Sequence, residues 1–242
     1  MIFWKYISIY LVLSIVGGIG LLKASGKLDP IKQRENRIKY FMYLLLIVLM
    51  TACIIAGVTV YIWVVAILIF FCIRELASIS GNLRKRGNSR WILYGALVYL
   101  AMMSGFLFSV VLSPERLLFL YTNVVVFDGF SQVVGQLLGK HKMVPKISPG
   151  KTWEGLLGGM VFMSLSYFIL RGDAGSVMPV RDYFLVVLLA LGGDLFASLI
   201  KRKAGIKDFS TLLPGQGGFL DRYDSLIAVF SGYGWIYLVM SL

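Results

Sequence analysis

Tyr40 to Ile73 reads YFMYLLLIVLMTACIIAGVTVYIWVVAILIFFCI, a run of 34 residues without a charge. A helix rises about 1.5 Å per residue and a bilayer core takes about 20 residues, so the run is too long for one crossing. Two membrane helices that turn near Gly57 fit it. The rest of the chain has the same character. Hydrophobic residues fill 58% of the 242 positions and the mean hydropathy is +0.81, whereas soluble domains are roughly 45 to 50% apolar.

Toward the N-terminus, residues 2–22 form another apolar run of membrane-spanning length. Gly17, Gly18 and Gly20 are followed by basic residues and not by a small-residue cleavage site, so the run is expected to be a retained helix and not a signal peptide. Toward the C-terminus, further spans are expected at 91–112, 117–139, 155–170, 183–200 and 225–242, the fifth interrupted by Asp128. The expected fold is an all-α polytopic integral membrane protein of about eight transmembrane helices. Residues 1–112 offer hydrophobic spans and little else, and read as a scaffold. Residues 113–242 carry the motifs.

The formal net charge of +12 would point to nucleic acid in a soluble protein. Here 20 of the 24 Lys and Arg fall in four segments, 23–39, 74–90, 140–154 and 201–222. With eight helices these four connections share one side, and the positive-inside rule makes that side cytoplasmic, with both termini outside. Topology and anionic lipid headgroups account for the charge, and no nucleic-acid partner is expected. Cys53 and Cys72 sit in apolar runs without metal-ligand spacing and read as inert buried thiols.

The chemistry concentrates in Gly192–Asp224, GGDLFASLIKRKAGIKDFSTLLPGQGGFLDRYD. Asp194 lies about two turns inside the seventh helix, and an ionisable residue at that depth marks a functional site by default. Asp194, Ser198 and Lys201 follow at i, i+4 and i+7 on one helix face. An interhelical salt bridge is the plainer reading of that face. Pro214, Gly215, Gln216, Gly217 and Gly218 then form a loop whose backbone can approach a ligand closely, leading to Asp221, Arg222 and Asp224. Hard carboxylate ligands beside exposed amides and lysines suit a magnesium-bound nucleoside triphosphate. With Asp194, Asp221 and Asp224 at one end of the bundle, a polar funnel open to the cytoplasm is expected.

The order S-x-x-K-R, K-D, P-G-x-G-G, D-R-x-D runs through Ser198, Lys201, Arg202, Lys207, Asp208, Pro214, Gly215, Gly217, Gly218, Asp221, Arg222 and Asp224. Upstream, Lys146 to Gly155 reads KISPGKTWEG, preceded by Gly139-Lys140-His141-Lys142. Both blocks closely resemble the signatures of the phosphatidate cytidylyltransferases, or CDP-diacylglycerol synthases, over roughly residues 124–230. One position departs from the pattern. That family's P-G-H-G-G has histidine where this chain has Gln216, which hydrogen-bonds but cannot be protonated. Pro145 to Thr152 also comes within one residue of a P-loop, but its first glycine is missing and no α/β nucleotide-binding domain accompanies it.

The resemblance implies transfer of a cytidylyl group from CTP to phosphatidic acid or a related lipid phosphate, in a bacterial cytoplasmic membrane, by an enzyme that is often a homodimer. It implies catalytic roles for Asp194, Ser198, Lys201, Asp221 and Asp224, the three aspartates holding Mg2+ with or without a second cation. Ser148, Lys151, Thr152, Lys207, Gly215, Gln216, Gly217, Gly218 and Arg222 would bind substrate. His141, the one histidine, reads as a bystander. Two alternatives stay open: a secondary transporter using Asp128 and Asp194, and an inactive relative serving as a partner subunit.

Overall fold

The computed structural model describes residues 2–25, 30–173, 178–213 and 217–240. Eight α-helices follow one another among them: α1 (Ile2–Ser25), α2 (Pro30–Ile55), α3 (Val58–Lys85), α4 (Arg90–Phe108), α5 (Pro114–Leu138), α6 (Trp153–Leu170), α7 (Val180–Ala204) and α8 (Phe219–Met240). The protein is an all-α membrane protein. The expected basic loop at 140–154 is in part a small antiparallel hairpin, β1 (Lys142–Val144) paired with β2 (Ser148–Thr152).

The uncharged run turns where expected. Gly57 has φ 110°, a conformation that glycine adopts without steric cost. The helices otherwise outrun their apolar stretches. α2 begins at Pro30, a residue suited to the first helical position, and α3 continues past Ile73 to end with Arg84 and Lys85 against the negative end of its dipole. The segments 23–39 and 74–90, expected as loops, are therefore largely helix in their described parts. α5 opens with Ser113 as its cap and Pro114 in its first turn. It does not break at Gly129 or Gly135.

α5 is the central column. Every residue from Leu117 to Phe127 is buried, and α1, α2, α6, α7 and α8 all pack on it. α8 is the second buried column, gripped by α4 and α7. Small residues let these helices approach: a Cβ at Gly193 of α7 would stand 2.7 Å from the Asp224 carbonyl oxygen of α8. Among the described residues, five helical stretches are long and apolar enough to cross a membrane, those of α3, α4 with the turn after it, α5, α6 and α7; α1 and α2 carry shorter apolar stretches. Asp221, Arg222 and Asp224 lie in the first two turns of α8 and dilute its hydropathy.

The ends of the bundle are sorted as the charge pattern requires. Lys5 near the start of α1 pairs with Asp173 after α6 at 2.8 Å. At the other end Asn88, after α3, donates to the Lys203 carbonyl at 2.9 Å, and Arg202 donates to the Ile147 carbonyl in the hairpin turn at 3.0 Å. Three of the four basic connections thus meet on one side.

Candidate active site

On that side α2, α5, α7, α8 and the hairpin enclose a cavity of about 450 Å3. Its charged lining comes from Asp128 on α5, Lys151 on β2, Asp194 and Lys201 on α7, and Asp221, Arg222 and Asp224 on α8. Ile47, Val124, Val125 and Leu226 make another part of the lining apolar. The cavity suits a ligand with a charged head and an apolar body.

The polar face read on α7 exists. Ser198 Oγ donates to Asp194 Oδ1 at 3.3 Å, and Asp194 Oδ2 stands 2.5 Å from Lys151 Nζ. Burial works against the Lys151 ammonium, but the carboxylates of Asp194, Asp128 and Asp224 outweigh it and hold its pKa above the usual lysine value. Lys201 turns instead to α8, where its Nζ lies 2.6 Å from Asp221 Oδ1. Both charged residues of this face are thus in salt bridges inside the cavity, but the interhelical one is made by Lys201 with Asp221, while Asp194 pairs with Lys151 of the hairpin.

Asp221 is the most heavily committed of the three aspartates. Besides Lys201, it accepts the amides of Phe209 at 2.7 Å and Gly218 at 2.8 Å through Oδ2. These bonds cap α8 and tether the loop before it, so α8 starts at Phe219 and not at 225, where its span was expected to begin. The glycines of this loop meet the protein's own carboxylates. Gly217 has φ 83° and a Cβ there would lie 2.8 Å from Asp221 Oδ2, while one at Gly218 would collide with the carboxylate of Glu75. Asp224 accepts the Ser225 amide at 2.8 Å and is buried.

The hairpin supplies the remaining wall. Ser148 and Lys151 face the cavity from β2. Thr152, which also lines it, is buried and its Oγ1 accepts the Gly155 amide at 3.1 Å, capping α6. Glu154 closes the hairpin base by accepting the amides of Lys140 and His141 and meeting His141 Nδ1 at 2.5 Å. His141 is exposed and stands apart from the cavity lining.

Residues 113–240, just over half of the chain, match the cytidylyltransferase family. The chain belongs to that family. It is 37% identical over 129 residues to a phosphatidate cytidylyltransferase of Haemophilus influenzae, covering 50% of this chain and 45% of that protein. It is 40% identical over 116 residues to one of Aquifex aeolicus, covering 48% and 44%, and 44% identical over 114 residues to one of Helicobacter pylori, covering 46% and 42%. The matches span less than half the length of these curated relatives.

In this cytidylyltransferase-family chain the cavity gathers Ser148, Lys151, Thr152, Asp194, Lys201, Asp221, Arg222 and Asp224. Ser198 reaches it through Asp194. Lys207 is exposed and outside the lining, and Gly215 and Gln216 lie outside the described residues. Asp128, whose role the sequence left open, lies on the lining, and Gln132 and Gln136 join it at i+4 and i+8 along α5. That polar stripe in an apolar helix was a legible signal. Glu75 was missed, because it falls where an apolar run gives way to basic residues.

Proposed function

We propose that the protein transfers a cytidylyl group from CTP to phosphatidic acid, giving CDP-diacylglycerol and pyrophosphate. The observation that carries the reading is the pairing of Asp194 with Lys151 in a cavity that also holds Asp128 and Asp224 and has an apolar part. Family membership sets the reaction class. A phosphate oxygen of the lipid attacks the α-phosphorus of CTP, a new P–O bond forms, and the bond from that phosphorus to the bridging oxygen breaks as pyrophosphate leaves. The nucleophile is already anionic, so the protein's task is positioning anions and offsetting their charge. Lys151 and Arg222 offset phosphate charge, Ser148 orients an oxygen, and Ser198 steadies Asp194.

The donor set fits magnesium of one kind. Among the described residues no three carboxylate, histidine or cysteine side chains form a metal-holding group, yet Asp128, Asp194 and Asp224 act on one another electrostatically. Magnesium is commonly bound by one or two carboxylates and completed by substrate phosphates, and Asp194 with Asp224 would hold it in that manner. When bound there it would draw charge from the α-phosphate and the leaving group. Asp221 would have to give up Lys201 to join them. A second cation and a homodimer are part of the same proposal, as is a cavity open to the cytoplasm, which the basic connections at that end support.

The test is incubation of the full chain in mixed micelles with CTP, phosphatidate and magnesium. Formation of CDP-diacylglycerol with equimolar pyrophosphate is expected. Absence of both products over a range of magnesium concentrations would remove the reading.

A further inference from the structure

We infer that Glu75, on α3, is a positioning residue that sets the catalytic end of α8, an inference that rests on the cytidylyltransferase reading above. Glu75 is only 2% exposed. Burying a carboxylate is costly unless its oxygens are well satisfied, and those of Glu75 are. Oε1 accepts the Phe219 amide at 2.9 Å and the Ser210 hydroxyl at 2.7 Å, and Oε2 accepts the Leu220 amide at 2.8 Å.

Phe219 and Leu220 open α8, so Glu75 takes two of the amides that every helix leaves unpaired at its start and places its charge at the positive end of the dipole. A helix is usually capped by a residue just before it. Here the cap comes from 144 positions upstream. Asp221 takes the Gly218 amide, and two carboxylates thus bind three consecutive amides, 218 to 220.

Two further observations place the same demand on α3. Gly218 is small where a Cβ would strike the Glu75 carboxylate. Phe71, about one turn before Glu75, stacks on Phe219 with ring centroids 4.7 Å apart, and Phe219 stacks on Tyr223. Glu75 fixes the height of the α8 start along its axis and the stacked rings fix its rotation. Asp221, Arg222 and Asp224, all within the next two turns, take their positions in the cavity from that grip.

The experiment compares Glu75→Ala, Glu75→Gln and Gly218→Ala in the full chain, reading turnover per folded molecule, KM for CTP, and hydrogen exchange of the Phe219 and Leu220 amides. Glu75→Ala is expected to lower kcat by about 10- to 100-fold, the scale of a misplaced reacting group, with KM for CTP changed less and exchange at 219 and 220 faster while α5 stays protected. Glu75→Gln keeps one carbonyl oxygen as acceptor and should fall between. Gly218→Ala should imitate Glu75→Ala and add nothing to it in the double variant. Wild-type kcat per folded molecule in Glu75→Ala, or additive losses in the double variant, would overturn the inference. If Glu75→Ala does not fold, wild-type kcat in both Glu75→Gln and Gly218→Ala overturns it. If the unaltered protein makes no CDP-lipid, the function has failed by itself, and the exchange rates at 219 and 220 in Glu75→Gln still decide whether Glu75 holds α8.

Discussion

Lys201 Nζ lies 2.6 Å from Asp221 Oδ1, joining the C-terminal end of α7 to the start of α8 with both side chains largely shut from solvent. Removing one member of such a buried pair strands the other, at a cost of about 3 to 5 kcal/mol. Asp194 is in a different position, since its side chain keeps 30% exposure and its partner Lys151 keeps 21%. Asp221→Asn is therefore expected to lower both the thermal transition and turnover. Asp194→Asn and Asp224→Asn should lower turnover by on the order of 100-fold, the size of one lost transition-state contact, with Asp194→Asn leaving the transition within a few degrees. Thermal unfolding in detergent beside CDP-lipid formation separates the two cases. A destabilised Asp194→Asn with a stable, inactive Asp221→Asn would exchange their roles.

Lys151 gives a prediction about pH. Its pKa lies above the usual lysine value despite burial, because Asp194, Asp128 and Asp224 surround it. A raised pKa in the folded state contributes stability that is fully present below the unfolded value of about 10.4 and is lost as pH rises through the folded value. No descending limb from Lys151 should then appear in the pH–rate profile between neutrality and about pH 10. Lys151→Met should lower kcat/KM across that whole range. A wild-type limb near pH 8 that disappears in Lys151→Met would contradict the assignment.

Much of this was legible in the sequence because a membrane imposes strong rules. Length and charge located the helices, the turn at Gly57 and the sorting of basic connections, since an uncharged run cannot exceed one crossing without turning. Motif order located the Asp194, Lys201, Asp221 and Asp224 cluster. What stayed hidden depends on pairing across distant helices. Nothing in the spacing says that Lys201 answers Asp221 while Lys151 answers Asp194, or that Gly218 makes room for Glu75. The hairpin was hidden for a related reason, since Pro145 and Gly150 in a basic segment read as loop until Lys142 pairs with Thr152.

The bundle's sorted ends give a labelling pattern. In a background with Cys53 and Cys72 replaced, single cysteines at Ser89, Lys146 and Lys207, all exposed, should react with an impermeant maleimide from the cytoplasmic face of oriented vesicles. Glu115 and Gly172, exposed at the opposite end, should react from the other face. A mixture of faces within the first group would reject the eight-helix alternation.

Gln216 lies outside the described residues, between flanking residues that the structure does describe. Leu213 and Gly217 flank residues 214–216 and are bridged, the Leu213 amide donating to the Gly217 carbonyl at 2.8 Å, and Gly217 and Gly218 abut the Asp221 and Glu75 carboxylates. The phosphatidate cytidylyltransferase pattern has histidine at position 216. If Gln216 donates one side-chain N–H to a phosphate oxygen, as a neutral histidine can, losing that bond costs about 1.5 to 3 kcal/mol, roughly 10- to 150-fold in rate when it forms only in the transition state. Gln216→Ala should lower turnover by that order. Gln216→His should retain or raise it without adding an acidic limb to the pH profile, because a neutral donor is all the step requires. Were Gln216→His to create activity from none, with a pH dependence near the imidazole pKa of about 6.5, the chain as written would be an inactive relative and the proposed reaction would belong to its histidine-bearing counterparts alone.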